Sequence, residues 1–257
     1  MKRWILAGSM LAVAMFGSVA LAQTSAPTGT QTGAQPPVFT PVQRAAIVQI
    51  MREALQQDPS ILRDAVNAMQ ADDSANSARA SSEAIAQFHT ELLASPAGAV
   101  AGNPNGSVTV VEFYDTRCTY CRKMLPEIDA LLHSDHKVRW VYKDFPVLGP
   151  DSTIEAKALI ASLRQNGYAK LQALFMKQGG TETEDNIATL ANSVGLNGKK
   201  LIADMHDPAV SAAIDANLAL GQHLNIDGTP AFVIGDTLLP GAVGLSDLTA
   251  LVQAAEK

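Results

Sequence analysis

The chain has 257 residues, 47% of them hydrophobic and 17% charged, with a net charge of −6 at neutral pH. That is enough apolar material for one sizeable core plus a smaller module, which excludes a disordered chain. The acidic balance offers no electrostatic footprint for nucleic acid or anionic lipid.

Residues 1–22 carry Lys2 and Arg3, then an uncharged apolar stretch, then Ala20, Leu21 and Ala22 before Gln23. This order of features reads as a secretory signal peptide. An uncleaved anchor is the rival reading, because the run is nearly long enough to span a bilayer; the small-residue cleavage site and the polar segment after it favour cleavage. Loss of Lys2 and Arg3 lowers the basic count from 19 to 17 against 25 acidic residues, a net charge of −8. No cysteine stands near the cleavage point, which argues against a lipid-attached precursor. The expected localisation is periplasmic.

Residues 23–39 are rich in Thr, Gln, Gly, Ala and Pro and show no apolar period, as in a flexible tether. Thr40 and Pro41 then form a helix start, with Val42, Ala46, Ile50, Ala54 and Leu55 at helical spacing. Asp58, Pro59 and Ser60 restart the pattern, and Ile61, Leu62, Ala65, Val66 and Met69 form a second stripe. A polar stretch follows Met69. A third helical stretch runs through Ile85, Phe88, Leu92 and Leu93. These narrow apolar faces hold too few large residues for an independent core. They dock on the main domain or join chains to one another, and the tether and the polar stretch favour homo-oligomerisation through residues 40–94.

Beyond residue 97 the character changes. The segment 102–106 is a turn cluster, and the β-branched and aromatic run from Ser107 to Asp115 reads as a strand buried on both faces. From Cys118 a helix is expected, with Met124, Leu125, Ile128, Leu131 and Leu132 in period. Val138–Phe145 is a second strand, completing a βαβ unit with a parallel pair. Residues 151–224 read as successive helices punctuated at Gly167, Gly195–Gly198 and Asp207–Pro208. Strand character returns over residues 230–235, followed by a short strand at 237–240 and a last helix from Ser246.

Cys118 and Cys121 are the only two cysteines. Structural cysteines of exported domains come as several spaced pairs, and a bridge closing so small a loop restricts the unfolded chain little. Zinc would need two further ligands; no second C-x-x-C exists, and His89, His133, His136, His206 and His223 are scattered. A C-x-x-C at the strand-to-helix junction of a βαβ unit instead signals dithiol redox chemistry. Unpaired N–H groups and the positive end of the helix dipole there stabilise a thiolate, with a pKa of roughly 3.5 to 7.5 in such motifs. Cys118 is then the attacking sulfur and Cys121 the sheltered one that resolves the mixed disulfide.

The segments Val108–Cys121, Val141–Ser152 and Asn225–Gly235 resemble the DsbA-type thiol–disulfide oxidoreductases, over most of residues 97–257. With its helical N-terminal segment the chain is most similar to the ScsC-like (suppressor of copper sensitivity C) and BdbD/Com1-like branches. The resemblance implies an α/β thioredoxin fold with a helical insertion at about 151–224 in a domain over 95–257, plus an N-terminal helical extension over 40–94. It implies that Thr229 and Pro230 form the cis-proline loop beside the cysteines. There the missing proline N–H leaves the preceding backbone to pair with an extended substrate. It further implies that Glu112, six residues before Cys118, is the buried acid beneath the active site, its pKa raised by desolvation so that it relays a proton when Cys121 attacks. An acid facing solvent at a strand edge is the plainer reading, and Lys143 is the candidate charge partner. Thr119–Tyr120 replaces the Pro-His of strongly oxidising members, so a milder oxidant is expected; Arg117 is a candidate for restoring positive field.

The expected activity is exchange on client proteins with thiols or disulfides, needing no organic cofactor or metal but a membrane or periplasmic redox partner. Oligomerisation tilts the balance toward isomerase or reductase, a monomer toward dithiol oxidase. The contrasting hypothesis is a chaperone-like or copper-sequestering protein whose thiolates hold Cu(I).

Overall fold

The structure, a computed structural model, describes residues 38–178 and 183–256. The expected signal peptide, and the tether apart from its last two residues, lie outside the described residues. Two compact units are distinguished, one ending at Ile61 and one beginning at Leu62.

In the first unit, α1 (Pro41–Gln57) opens with reciprocal contacts. The Thr40 hydroxyl accepts from the Gln43 N–H, and the Gln43 side chain accepts from the Thr40 N–H. Two otherwise orphaned donors are thereby satisfied, and Pro41 sits where its missing N–H costs nothing. No α1 residue is buried, and Val42, Val48, Ile50 and Met51 are exposed.

The polar stretch after Met69 does not interrupt the next helix: α2 runs unbroken from Ser60 to Gln87. Its sequence contains neither Gly nor Pro, and Ala71, Ala75, Ala78 and Ala80 have the highest helix propensity. Phe88 separates α2 from α3 (His89–Leu93). Ile85 and Leu92, both buried, pack with Val111, Phe113 and Val141 of the sheet. Residues 84–93, grouped by sequence with the segment before residue 95, thus contribute to the main core.

The sheet contains β1 (Val100–Gly102), β2 (Val108–Tyr114), β3 (Val138–Asp144), β4 (Ala231–Ile234) and β5 (Thr237–Pro240), in the order β1-β3-β2-β4-β5. The β2–β3 pair is parallel and joined through α4 (Thr119–Ser134); the other pairings are antiparallel. Strand β1 went unforeseen because it is three residues long and abuts a turn cluster; it pairs with Arg139–Val141.

Alternation along β2 sends Val111 and Phe113 to one face, with Leu220 and Leu224, and Val108 and Val110 to the other. The second face is covered by Met124, Ile128 and Leu131 of α4 and by Leu248 and Val252 of α10 (Leu245–Ala255). Between β3 and β4 the chain forms α5 (Pro150–Ser162), α6 (Tyr168–Gln178), α7 (Glu184–Ser193), α8 (Gly198–Met205) and α9 (Pro208–His223). Their core, with Leu159, Leu171, Phe175, Ile187 and Leu201, also takes in Tyr114, Cys118 and Cys121. Among the described residues no helix is long and apolar enough to cross a membrane.

Leu92→Ala is expected to lower the unfolding free energy by about 2–5 kcal/mol, because it removes a buried side chain from the sheet face. Met69→Ala, at an exposed position, is expected to change it by less than about 0.5 kcal/mol. Urea unfolding of the two variants checks both; equal effects would refute the docking of α3.

Candidate active site

Cys118 caps the N-terminus of α4, and both cysteines are free thiols. The Cys118 N–H donates to the Asp115 carbonyl at 3.0 Å, closing the turn out of β2. Its sulfur accepts from the Cys121 N–H at 3.3 Å, so a donor left over by the helix start is aimed at sulfur. On its other side the Cys118 thiol donates to the Thr229 carbonyl at 3.2 Å, and the Thr229–Pro230 peptide is cis. Residues 111 positions apart thus meet at one sulfur. Cys121 is wholly buried one turn into the helix.

These contacts set the two thiols apart. The Cys121 thiol bonding to the Cys118 sulfur lowers the Cys118 pKa to about 6; burial opposes it, while the Cys121 and Tyr120 backbone favour the thiolate. Cys121 is pushed far up by that same contact, by burial and by the charge of Glu112. One sulfur therefore ionises and the other holds its proton.

Glu112 is buried in the middle of β2. Burial raises its pKa to about 8, against the bond from Trp140, and the Cys118 charge adds to the rise. The Trp140 indole N–H donates to its Oε2 at 3.0 Å. Lys143 is not its charge partner. In the parallel register Glu112 stands opposite Tyr142 and Lys143 opposite Phe113, so Lys143 belongs to the other face of the sheet. The Lys143 ammonium donates to the carbonyls of Glu91 at 2.8 Å and Ala94 at 2.5 Å, at the end of α3.

The turn before Cys118 is braced by residues that sequence reasoning did not single out. Asp115 Oδ1 accepts from the Arg117 N–H, and its Oδ2 from the N–H groups of Val147 and Leu148. Thr116 donates its hydroxyl to Glu155, and Arg122 donates to the carbonyls of Thr116 and Arg117. Glu155 had a signal: it lies four residues before Leu159, placing an acid on the apolar stripe of α5. Arg117, expected to add positive field, lies 3.6 Å from both Asp151 and Glu155. Tyr120, Val147 and Leu148 are exposed, and the cis-proline loop borders a recess of about 340 Å³ with Leu238, Pro240 and Gly241. All five histidines are exposed, and among the described residues no three His, Cys, Asp or Glu side chains gather as a metal site would require.

The profile of the thioredoxin family matches residues 94–254, which takes in β2, α4, the insertion and the cis-proline loop. The chain belongs to the thioredoxin family. Within that family it is DsbA-like, with the helical insertion between β3 and β4 and a helical N-terminal region. A thioredoxin-like oxidoreductase from Silicibacter pomeroyi DSS-3 is 40% identical, over 64% of this chain and 95% of that one, with a TM-score of 0.60. ScsC from Proteus mirabilis is 26% identical, over 84% and 98%, with a TM-score of 0.61. A periplasmic thioredoxin-like protein from Salmonella enterica serovar Typhimurium is 27% identical, over 66% and 95%, with a TM-score of 0.59. The chain matches about a quarter of the length of its curated relatives, among them the Na(+)/H(+) antiporter NhaA of Herminiimonas arsenicoxydans, 28% identical over 160 residues.

Alkylation of the reduced protein is expected to speed up through a pH of about 6 and then level off, with label on Cys118 and none on Cys121 under native conditions. Peptide mapping after labelling checks this; a midpoint near that of an ordinary thiol would contradict the geometry. Glu112 holds its proton more tightly folded than unfolded, so its burial weighs against folding increasingly as pH rises from about 4.5 to about 8. Reduced Glu112→Gln is therefore expected to gain stability relative to the wild type across that window, and denaturant unfolding at several pH values reads the difference.

Proposed function

We propose that this protein is an exported thiol–disulfide oxidoreductase acting on protein clients, with Cys118 as nucleophile and Cys121 as resolving thiol. The observation that carries this reading is the single acidic sulfur at the α4 N-terminus, in contact with the Thr229 carbonyl and backed by a protonated, buried Cys121. In the reducing direction the Cys118 thiolate attacks a client disulfide, forming a mixed disulfide and expelling one client thiolate. Cys121 then attacks Cys118, releasing the second client thiolate and leaving the Cys118–Cys121 disulfide. If a client thiolate attacks the mixed disulfide first, the client is isomerised and the enzyme returns as the dithiol. Oxidation of a client dithiol is the same sequence reversed.

Cys121 has to lose its proton to attack. Glu112, neutral at pH 7 and electrostatically coupled to both sulfurs, is assigned to relaying that proton as Cys118 ceases to be an anion. Thr229 and Pro230 are assigned to the client's backbone, supported by the recess beside them. Export is supported by residues 1–22 and by the likeness to a periplasmic protein. A separate membrane or periplasmic redox protein then resets the dithiol.

Isomerase or reductase action is favoured over net oxidation by the apolar side chains that α1 and the start of α2 leave exposed, including Ile50, Met51, Leu62 and Met69. Covering them with a second copy of the chain would set several active sites about one client. Because residues 84–93 belong to the core, the segment assigned to association ends well before residue 94.

Cys121→Ala is expected to accumulate mixed disulfides with periplasmic proteins, all through Cys118; their absence on non-reducing gels would overturn the exchange reading. Deletion of residues 1–70 is expected to reduce the solution mass to one chain. Refolding of a scrambled-disulfide protein should fall with it, while oxidation of a reduced peptide persists. An unchanged mass would remove the support for isomerase action.

A further inference from the structure

Arg117 adjoins the nucleophile, and an uncompensated guanidinium there would add to the field that stabilises the Cys118 thiolate. Two carboxylates of α5 face it: Asp151, half-buried and 3.6 Å from one guanidinium nitrogen, and Glu155, fully buried and 3.6 Å from the other. They stand four residues apart on one face of the helix. Glu155 also accepts from the hydroxyl of Thr116, so one buried carboxylate holds the two residues that precede Cys118. Charges in such a water-poor setting act over several ångströms with little screening.

We propose that Glu155 is a positioning residue that offsets the charge of Arg117 and so restrains the acidity of Cys118. The inference rests on Cys118 being the nucleophile. The insertion thereby has a role at the sulfur besides covering it: α5 supplies the counter-charge, and the Thr116 bond fixes where that charge sits. A buried acid in this place needs a reason, because isolated burial of a carboxylate is costly and packing alone would be served by Leu or Met. The cysteine motif is then read with two residues outside it, one cationic and one anionic, and the balance between them sets how strongly the dithiol oxidises.

The test is a double-substitution cycle in the reduced full-length protein, reading the Cys118 pKa by thiolate absorbance and the reduction potential against glutathione. Glu155→Gln keeps an acceptor for Thr116 but removes the charge. It is expected to lower the Cys118 pKa by about half a unit or more, roughly a threefold larger dissociation constant, and to make the potential more oxidising. Arg117→Gln is expected to shift both readings the opposite way, and the pair together to return them close to the wild type. Asp151→Asn, at a half-exposed position that folding tolerates, is expected to move acidity in the direction of Glu155→Gln by a smaller amount, and it keeps the test open if the buried variant fails to fold. A double variant whose readings fail to return toward the wild type would overturn the proposal. So would an unmoved pKa in both Glu155→Gln and Asp151→Asn. An ordinary Cys118 pKa in the wild type would instead sink the reading on which the inference rests, so the two failures are told apart.

Discussion

The hydrogen bond between the Cys121 N–H and the Cys118 sulfur organises the rest of the molecule. It exists only because α4 begins at that residue, and α4 begins there because β2 ends in a turn whose backbone closes from Cys118 to Asp115. The parallel β2–β3 pair requires a helical crossover, which places a helix start, with its surplus of donors, at the end of a buried strand. Sulfur at that cap is pulled toward the thiolate. Its partner one turn later, surrounded by apolar side chains, is pulled toward the thiol.

Several of the buried polar groups around the pair are tied to particular contacts. Trp140 donates to Glu112, Tyr114 and Tyr168 donate to Asp144, and Thr116 donates to Glu155. Burial raises the pKa of Glu112 to about 8, so the acid coupled to both sulfurs is largely neutral near pH 7. The Cys118 thiolate is then not opposed by an ionised Glu112 beneath it. That state is compatible with low local dielectric, whereas two or three such charges side by side would not be.

Much of this was legible in the sequence because it rests on local signals. Thr40–Pro41, Asp207–Pro208 and the Cys-x-x-Cys spacing are backbone statements, and the β-branched and aromatic run of β2 reads as a buried strand. Three features were not legible, for physical reasons. The continuity of α2 follows from the absence of any helix breaker in a polar stretch, which composition disguises as a linker. Strand β1 has too few residues to show a period. The face to which Lys143 belongs is settled by its pairing register with β2, and a one-residue shift would have reversed it. Glu155 was visible only as an acid in an apolar stripe; its partners lie nearly forty residues away in sequence, at Thr116 and Arg117.

The carboxylate of Asp115 joins the turn before Cys118 to the loop that bears Val147 and Leu148. Those two exposed side chains and the reacting sulfur therefore share a mounting. A polypeptide that settles its own apolar groups against the loop would meet sulfur at a set displacement, with no hinge in between. Part of the entropy of alignment is then spent when the chain folds instead of at each encounter.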